Sequence, residues 1–234
     1  MRVPINMSEK IHPADALKSI DQVLVSDPRN EDIQLAEWHS RIAEIVLVET
    51  TPIEVKQIFE NAKNIALYTY FAYRLHQPAE IIGYTALEKA LKLKFELEQD
   101  NLILEKQPKK LVDYMNIALE QGWIKSEGYN SSRLLASSRV QQKKMVEMIK
   151  SGALDHQQSI PVPEAEENEI ITEMREMGIA ERVLHAGRHV RNFLAHGDGG
   201  LSPSSIGTLQ KIAEEINQLY SGSSCGTRGK NAKG

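Results

Sequence analysis

Alternating polar and apolar runs of strand length do not occur in this chain; apolar side chains recur instead at three- and four-residue steps through most of it. Ile206, Leu209, Ile212, Ile216 and Leu219 repeat in this way, and so do Leu35, Trp38, Ile42 and Ile45. That interval places side chains on one face of a helix, whereas a half-buried strand needs a period of two. The pattern predicts an all-α protein.

Punctuation divides the pattern into elements. Ala14–Val25 and Asn30–Glu49 read as two helices separated by Ser26-Asp27-Pro28. They are expected as an N-terminal helical extension over residues 1–50. Thr51-Pro52-Ile53-Glu54 has the form of a helix start, with Thr51 as cap, Pro52 in the first helical position and Glu54 closing the capping box. That helix is expected to reach His76, and its second half, Ile65–Tyr73, is apolar nearly all round, which predicts burial near the core centre. Pro78 opens a helix to about Gln99, and Pro108–Gln121 forms another that stops at Gly122. Ser126–Ser138 is polar and reads as a loop, followed by a short helix over Val140–Lys150. Residues 152–169, with two prolines and an acidic run, read as a mobile acidic loop. Ile170–Ala195 is helical with a break expected at Gly178, and Ser202-Pro203 starts the last helix. The main helical domain is thus expected over 51–221, and the Gly/Ser/Lys-rich stretch 222–234 reads as a flexible tail.

Composition narrows the function classes. A formal charge of -4 gives no global field toward nucleic acid, so any RNA contact needs a local patch. The densest cationic stretch before the tail holds Arg133, Arg139, Lys143 and Lys144; it is read either as a solvated face or as an RNA-contacting one. The one cysteine, Cys225, permits no intramolecular disulfide, and a cytoplasmic location is expected. Met1–Ile11 lacks a signal-peptide pattern, and Ile65–Tyr73, the longest uncharged apolar run, is too short to cross a bilayer. No membrane association is expected.

Two side chains suited to phosphate chemistry stand in Arg191-Asn192-Phe193-Leu194-Ala195-His196. Arg191 offers a permanent forked cation that matches two phosphate oxygens, and His196 exchanges a proton near neutral pH. Arg182 and His189 share similar spacing, so context distinguishes the pair: the hexapeptide closes one helical run, and another follows a Gly/Asp loop. His185, His189, Asn192 and His196 form one stripe, but His-Ala-Gly-Arg-His lacks the glutamate that a zinc hydrolase places between its histidines, and Arg188 and Arg191 repel a cation. No metal site and no cofactor are expected. On the preceding helix, Glu88 interrupts the stripe Ile81, Tyr84, Leu91 and Phe95. A carboxylate there needs a partner; Arg191 is one candidate and Lys92, four residues on, is the other.

In this context Arg-Asn-Phe-Leu-Ala-His resembles the motif of the HEPN superfamily, small all-α domains that often carry Arg-x4–6-His with a polar residue after the arginine. Tyr84–Lys92 resembles the early helix of that family, which commonly turns an acidic or polar residue toward the motif, and Leu111–Ile124 is similar to its middle helix and turn. The likeness implies a HEPN-like bundle over about Pro52–Tyr220. It also implies a metal-independent endoribonuclease working by 2′-hydroxyl transphosphorylation, with Arg191, His196, Asn192 and Glu88 as catalytic residues and Arg188 joining Arg133, Arg139 and Lys143 as RNA contacts. A homodimer with facing motif helices is implied too, as is a toxin or defence role with an antitoxin or other protein partner. Other members are non-catalytic modules binding nucleotide, RNA or protein. One variant carries a modified tyrosine two residues after the histidine; Asp198 stands there in this chain, which argues against that control.

Overall fold

The computed structural model describes residues 11, 13–103, 106–151, 162–195 and 203–221, with the backbone alone for 188, 190 and 193–195. Among the described residues there are eight α-helices and no strand. They are α1 (Leu35–Ala43), α2 (Ile53–Tyr68), α3 (His76–Glu98), α4 (Leu111–Glu120), α5 (Asn130–Lys150), α6 (Glu167–Glu176), α7 (Ile179–Ala195) and α8 (Ser205–Tyr220). The protein is all-α. None of these helices is long and apolar enough to cross a membrane, among the described residues.

The core centre is α3, not the apolar end of α2. In Ile65–Tyr73 the helix ends at Tyr68, Tyr68 is exposed, and the remaining aromatic residues are half-buried. Helix α3 buries residues on several faces, mixing large Leu87 and Leu91 with small Ala79, Gly83, Ala86 and Ala90. Each fully buried leucine contributes roughly 1.5–3 kcal/mol. The small residues let neighbours come close: a Cβ on Gly83 would lie 2.6 Å from Leu209 Cδ2 of α8.

Polar groups fix the direction of α8 along α3. At one end Glu80 Oε1 accepts from Ser204 Oγ at 2.6 Å, and His76 Nδ1 meets Ser205 Oγ at 2.6 Å. At the other, Tyr220 donates its hydroxyl to the Ala90 carbonyl at 2.9 Å. The two helices therefore run parallel.

Several local expectations are corrected. Ala14–Val25 is not an α-helix; it holds a 3-10 turn at Pro13–Asp15 and then irregular turns, with Leu17, Ile20 and Leu24 exposed. Asn30–Glu49 is helical only over α1. The extension is also not a separate appendage. Trp38, Ile42 and Ile45 belong to the same buried cluster as α2 and α3, and Trp38 Nε1 donates to the Ala66 carbonyl at 3.2 Å. Thr51 does not cap α2: Pro52 takes the cap position and the buried Thr51 hydroxyl has no partner among the described residues. Asn130–Ser138 is the first half of α5 rather than a loop. Of the stretch expected as a mobile loop, Glu167–Glu169 begins α6, and 152–161 lie outside the described residues. The break at Gly178 is present, with φ of 56°, a conformation that glycine adopts without Cβ strain.

Candidate functional site

Helix α7 lies on α3 in parallel register, one turn matched to one turn. A Cβ on Gly187 would sit 2.9 Å from Tyr84 Cε1, so only glycine admits the ring this close. One turn further along both helices, Arg191 Nη2 donates to Glu88 Oε2 at 3.2 Å. Glu88 is half-buried and divides its oxygens, since Oε1 accepts from Lys92 Nζ at 2.7 Å. Both partners weighed for Glu88 from the sequence are therefore present together. Glu88 takes one nitrogen of Arg191, and the rest of the fork has no other protein partner among the described residues.

The pair forms one wall of a cleft of about 410 Å³ lined by Glu88, Lys109, Lys110, Leu111, Val112, Arg191 and Asn192. Three cations against one carboxylate make its lining net positive, which favours a bound anion. The amino end of α4 lies on the opposite wall, but its backbone donors are engaged. Asp113 Oδ2 accepts from Lys109 N and Lys110 N at 2.9 Å each, and those bonds hold its carboxyl below the usual range. The attraction for an anion thus comes from the Lys109, Lys110 and Arg191 side chains rather than from a free helix end.

Of the residues expected to act together, the structure brings Arg191, Asn192 and Glu88 to one cleft. His196 lies outside the described residues, and so does the side chain of Arg188. Arg133, Arg139 and Lys143 are not at the cleft. They stand on α5 and face the acidic helix α6. Arg133 pairs with Glu167, Arg139 Nε lies 2.9 Å from Glu173 Oε1, and Lys143 pairs with Glu173 and Glu176. Glu173 is buried, so these cations compensate a charge withdrawn from water. Their arrangement has a structural account that needs no nucleic acid. His185 and His189 are exposed on α7, and no group of three or more metal-ligating side chains is found among the described residues.

Sequence reasoning missed Lys109 and Lys110. Their signal was present, since Lys106, Lys109 and Lys110 cluster just before α4, but only the fold places α4 opposite α7. No family model, no curated protein and no solved structure matches this chain.

Proposed function

We propose that the α3–α4–α7 cleft binds an RNA phosphodiester and that the chain is a metal-independent endoribonuclease. The observation that carries this reading is Arg191, held from one side by Glu88 and open on the other to a cleft with two further cations. In this proposal His196, one residue beyond the end of α7, removes the proton of a ribose 2′-hydroxyl. The 2′-oxygen attacks the adjacent phosphorus, and the bond from phosphorus to the 5′-oxygen breaks. A 2′,3′-cyclic phosphate remains, and a protonated histidine gives the leaving oxygen its proton. Arg191 stabilises the charge that gathers on the phosphate oxygens, Asn192 orients the phosphate, and Lys109 and Lys110 hold its neighbours. DNA lacks the nucleophile, which restricts the reaction to RNA.

A homodimer belongs to the same proposal. On an ideal helix position 196 lies about 140° round from Arg191, so a twofold axis near the end of α7 supplies the second histidine and completes the acid–base pair.

One observation favours a second reading, a non-catalytic module that binds RNA, a nucleotide or a protein: Glu88 places a negative charge inside the cleft and takes part of Arg191. Incubation of the protein with end-labelled RNA in EDTA separates the two. Cleavage that depends on His196 supports the nuclease, and binding without cleavage supports the module.

A further inference from the structure

Helices α7 and α8 leave a second cavity above α3, of about 370 Å³. It shares no lining residue with the Arg191 cleft, which α4 walls instead. The lining is largely apolar, built from Val183 and Gly187 on α7, Ile212 on α8 and the ring of Tyr84. One buried polar side chain interrupts it. Glu215 is only 2% exposed; Tyr129 donates its hydroxyl to Oε1 at 3.2 Å, and Oε2 has no partner among the described residues. Burial, with Glu214 adjacent, pushes the Glu215 carboxyl up to about 8 despite Lys211 and Tyr129. Near neutral pH Oε2 therefore carries a proton with no acceptor to receive it. Arg182 on α7 and Lys211 on α8 are exposed, line the same cavity, and make no ion pair among the described residues. Thr208 adds a hydroxyl to the wall.

We propose that this cavity binds a small planar molecule with a hydrogen-bond acceptor on its ring and an anionic group at its other end. The ring packs on Ile212, Val183 and Tyr84. Its acceptor takes the proton of Glu215 Oε2, and the anion sits between Arg182 and Lys211. Two sources share this chemistry, an aromatic carboxylic acid and a nucleoside monophosphate. The inference does not rest on the nuclease reading, because no residue of the Arg191 cleft takes part.

Titration calorimetry on the full chain tests it. Nicotinate represents the first source, with benzoate, which lacks the ring acceptor, as its control. AMP, GMP, CMP and UMP represent the second, with ribose 5-phosphate as control. At least one probe is expected to bind tenfold or more tighter than its control. Glu215→Gln keeps a donor at the second atom, so affinity stays within about threefold; the loss of affinity that the wild type shows above pH 8 disappears. Glu215→Leu weakens binding at least tenfold. Should that variant not fold, the double substitution Arg182→Ala with Lys211→Ala serves: it weakens the acid by tenfold and leaves nicotinamide or the neutral nucleoside unaffected. Arg191→Ala changes nothing. The proposal is overturned if no probe binds at millimolar concentration, if a Glu215→Leu protein that folds binds as well as the wild type, or if binding is lost in Arg191→Ala and kept in the Arg182/Lys211 double variant.

Discussion

Arg191 Nη2 and Glu88 Oε2 lie 3.2 Å apart, across the seam where the last turns of α7 pass over the middle of α3. The link is monodentate and Arg191 is 42% exposed, so the pair adds little to stability; contacts of this kind contribute about 0–1 kcal/mol. Its effect is on aim. Glu88→Gln is expected to leave the urea midpoint almost unchanged while RNA turnover drops about tenfold, the scale of a misdirected charge. A large stability loss with unchanged turnover would assign Glu88 to the fold instead.

The two cationic groups are expected to behave oppositely. Lys109→Ala with Lys110→Ala weakens RNA binding and makes the dependence of log affinity on log salt shallower by about 1, as two lost phosphate contacts require. Arg139→Ala with Lys143→Ala leaves the salt slope in place. It strands the buried Glu173 carboxylate and lowers stability by about 1–2 kcal/mol, a figure reduced because both cations are half in water. Filter binding across a salt series, with urea denaturation of the same variants, checks both. A flatter salt slope for the α5 pair would return those residues to the RNA interface.

Residue patterns made some of this legible and hid the rest. Helical period and Gly178 were readable because they act locally. Glu88 was readable because a carboxylate inside an apolar stripe must find a cation. The same logic applied to Glu215, which falls three residues after Ile212 on the buried stripe of α8, yet its neighbours there were read as plain core. The central role of α3 was hidden because Ala79, Gly83, Ala86 and Ala90 act through closeness rather than bulk. The first half of α5 looked like a loop because its serines and arginines are poor evidence of helix; it is held by α6 carboxylates more than 30 residues away. The placement of Lys109 and Lys110 opposite Arg191 is a property of the packing alone.

Two buried groups set opposite limits on stability with pH. Burial and nearby Arg29 hold the His76 imidazole down at about 4, against 6.5 when free. Between those values the unfolded chain carries a proton the folded one lacks, so stability rises with pH. Glu215 is raised from 4.5 to about 8, so over that window the folded chain holds the extra proton and stability falls as pH rises. Together they predict a rise up to about pH 4.5, a level stretch to about 6.5 and a decline to about 8. In His76→Gln the decline begins near 4.5 with no rise before it. In Glu215→Gln stability climbs to about 6.5 and then stays level. Urea midpoints across this range read both curves, and an undiminished decline in Glu215→Gln would refute the Glu215 assignment.

Gly187 sets the distance between α7 and α3. A valine there drives its Cβ into the Tyr84 ring, an overpacking expected to cost about 1–3 kcal/mol. Because the same register carries Arg191 to Glu88, Gly187→Val is also expected to reduce RNA turnover at temperatures where the protein stays folded. Thermal melts paired with turnover below the transition test this; unchanged melting and turnover would show that α7 does not need this contact.

The nuclease account is tested most directly by mapping the ends of RNA incubated with the wild-type protein and with His196→Ala, both in EDTA. The account predicts cleavage that persists without metal and leaves 2′,3′-cyclic phosphate ends, with a loss of more than about a hundredfold in His196→Ala. No cleavage by the wild type, or cleavage abolished by EDTA and restored by zinc, would contradict it.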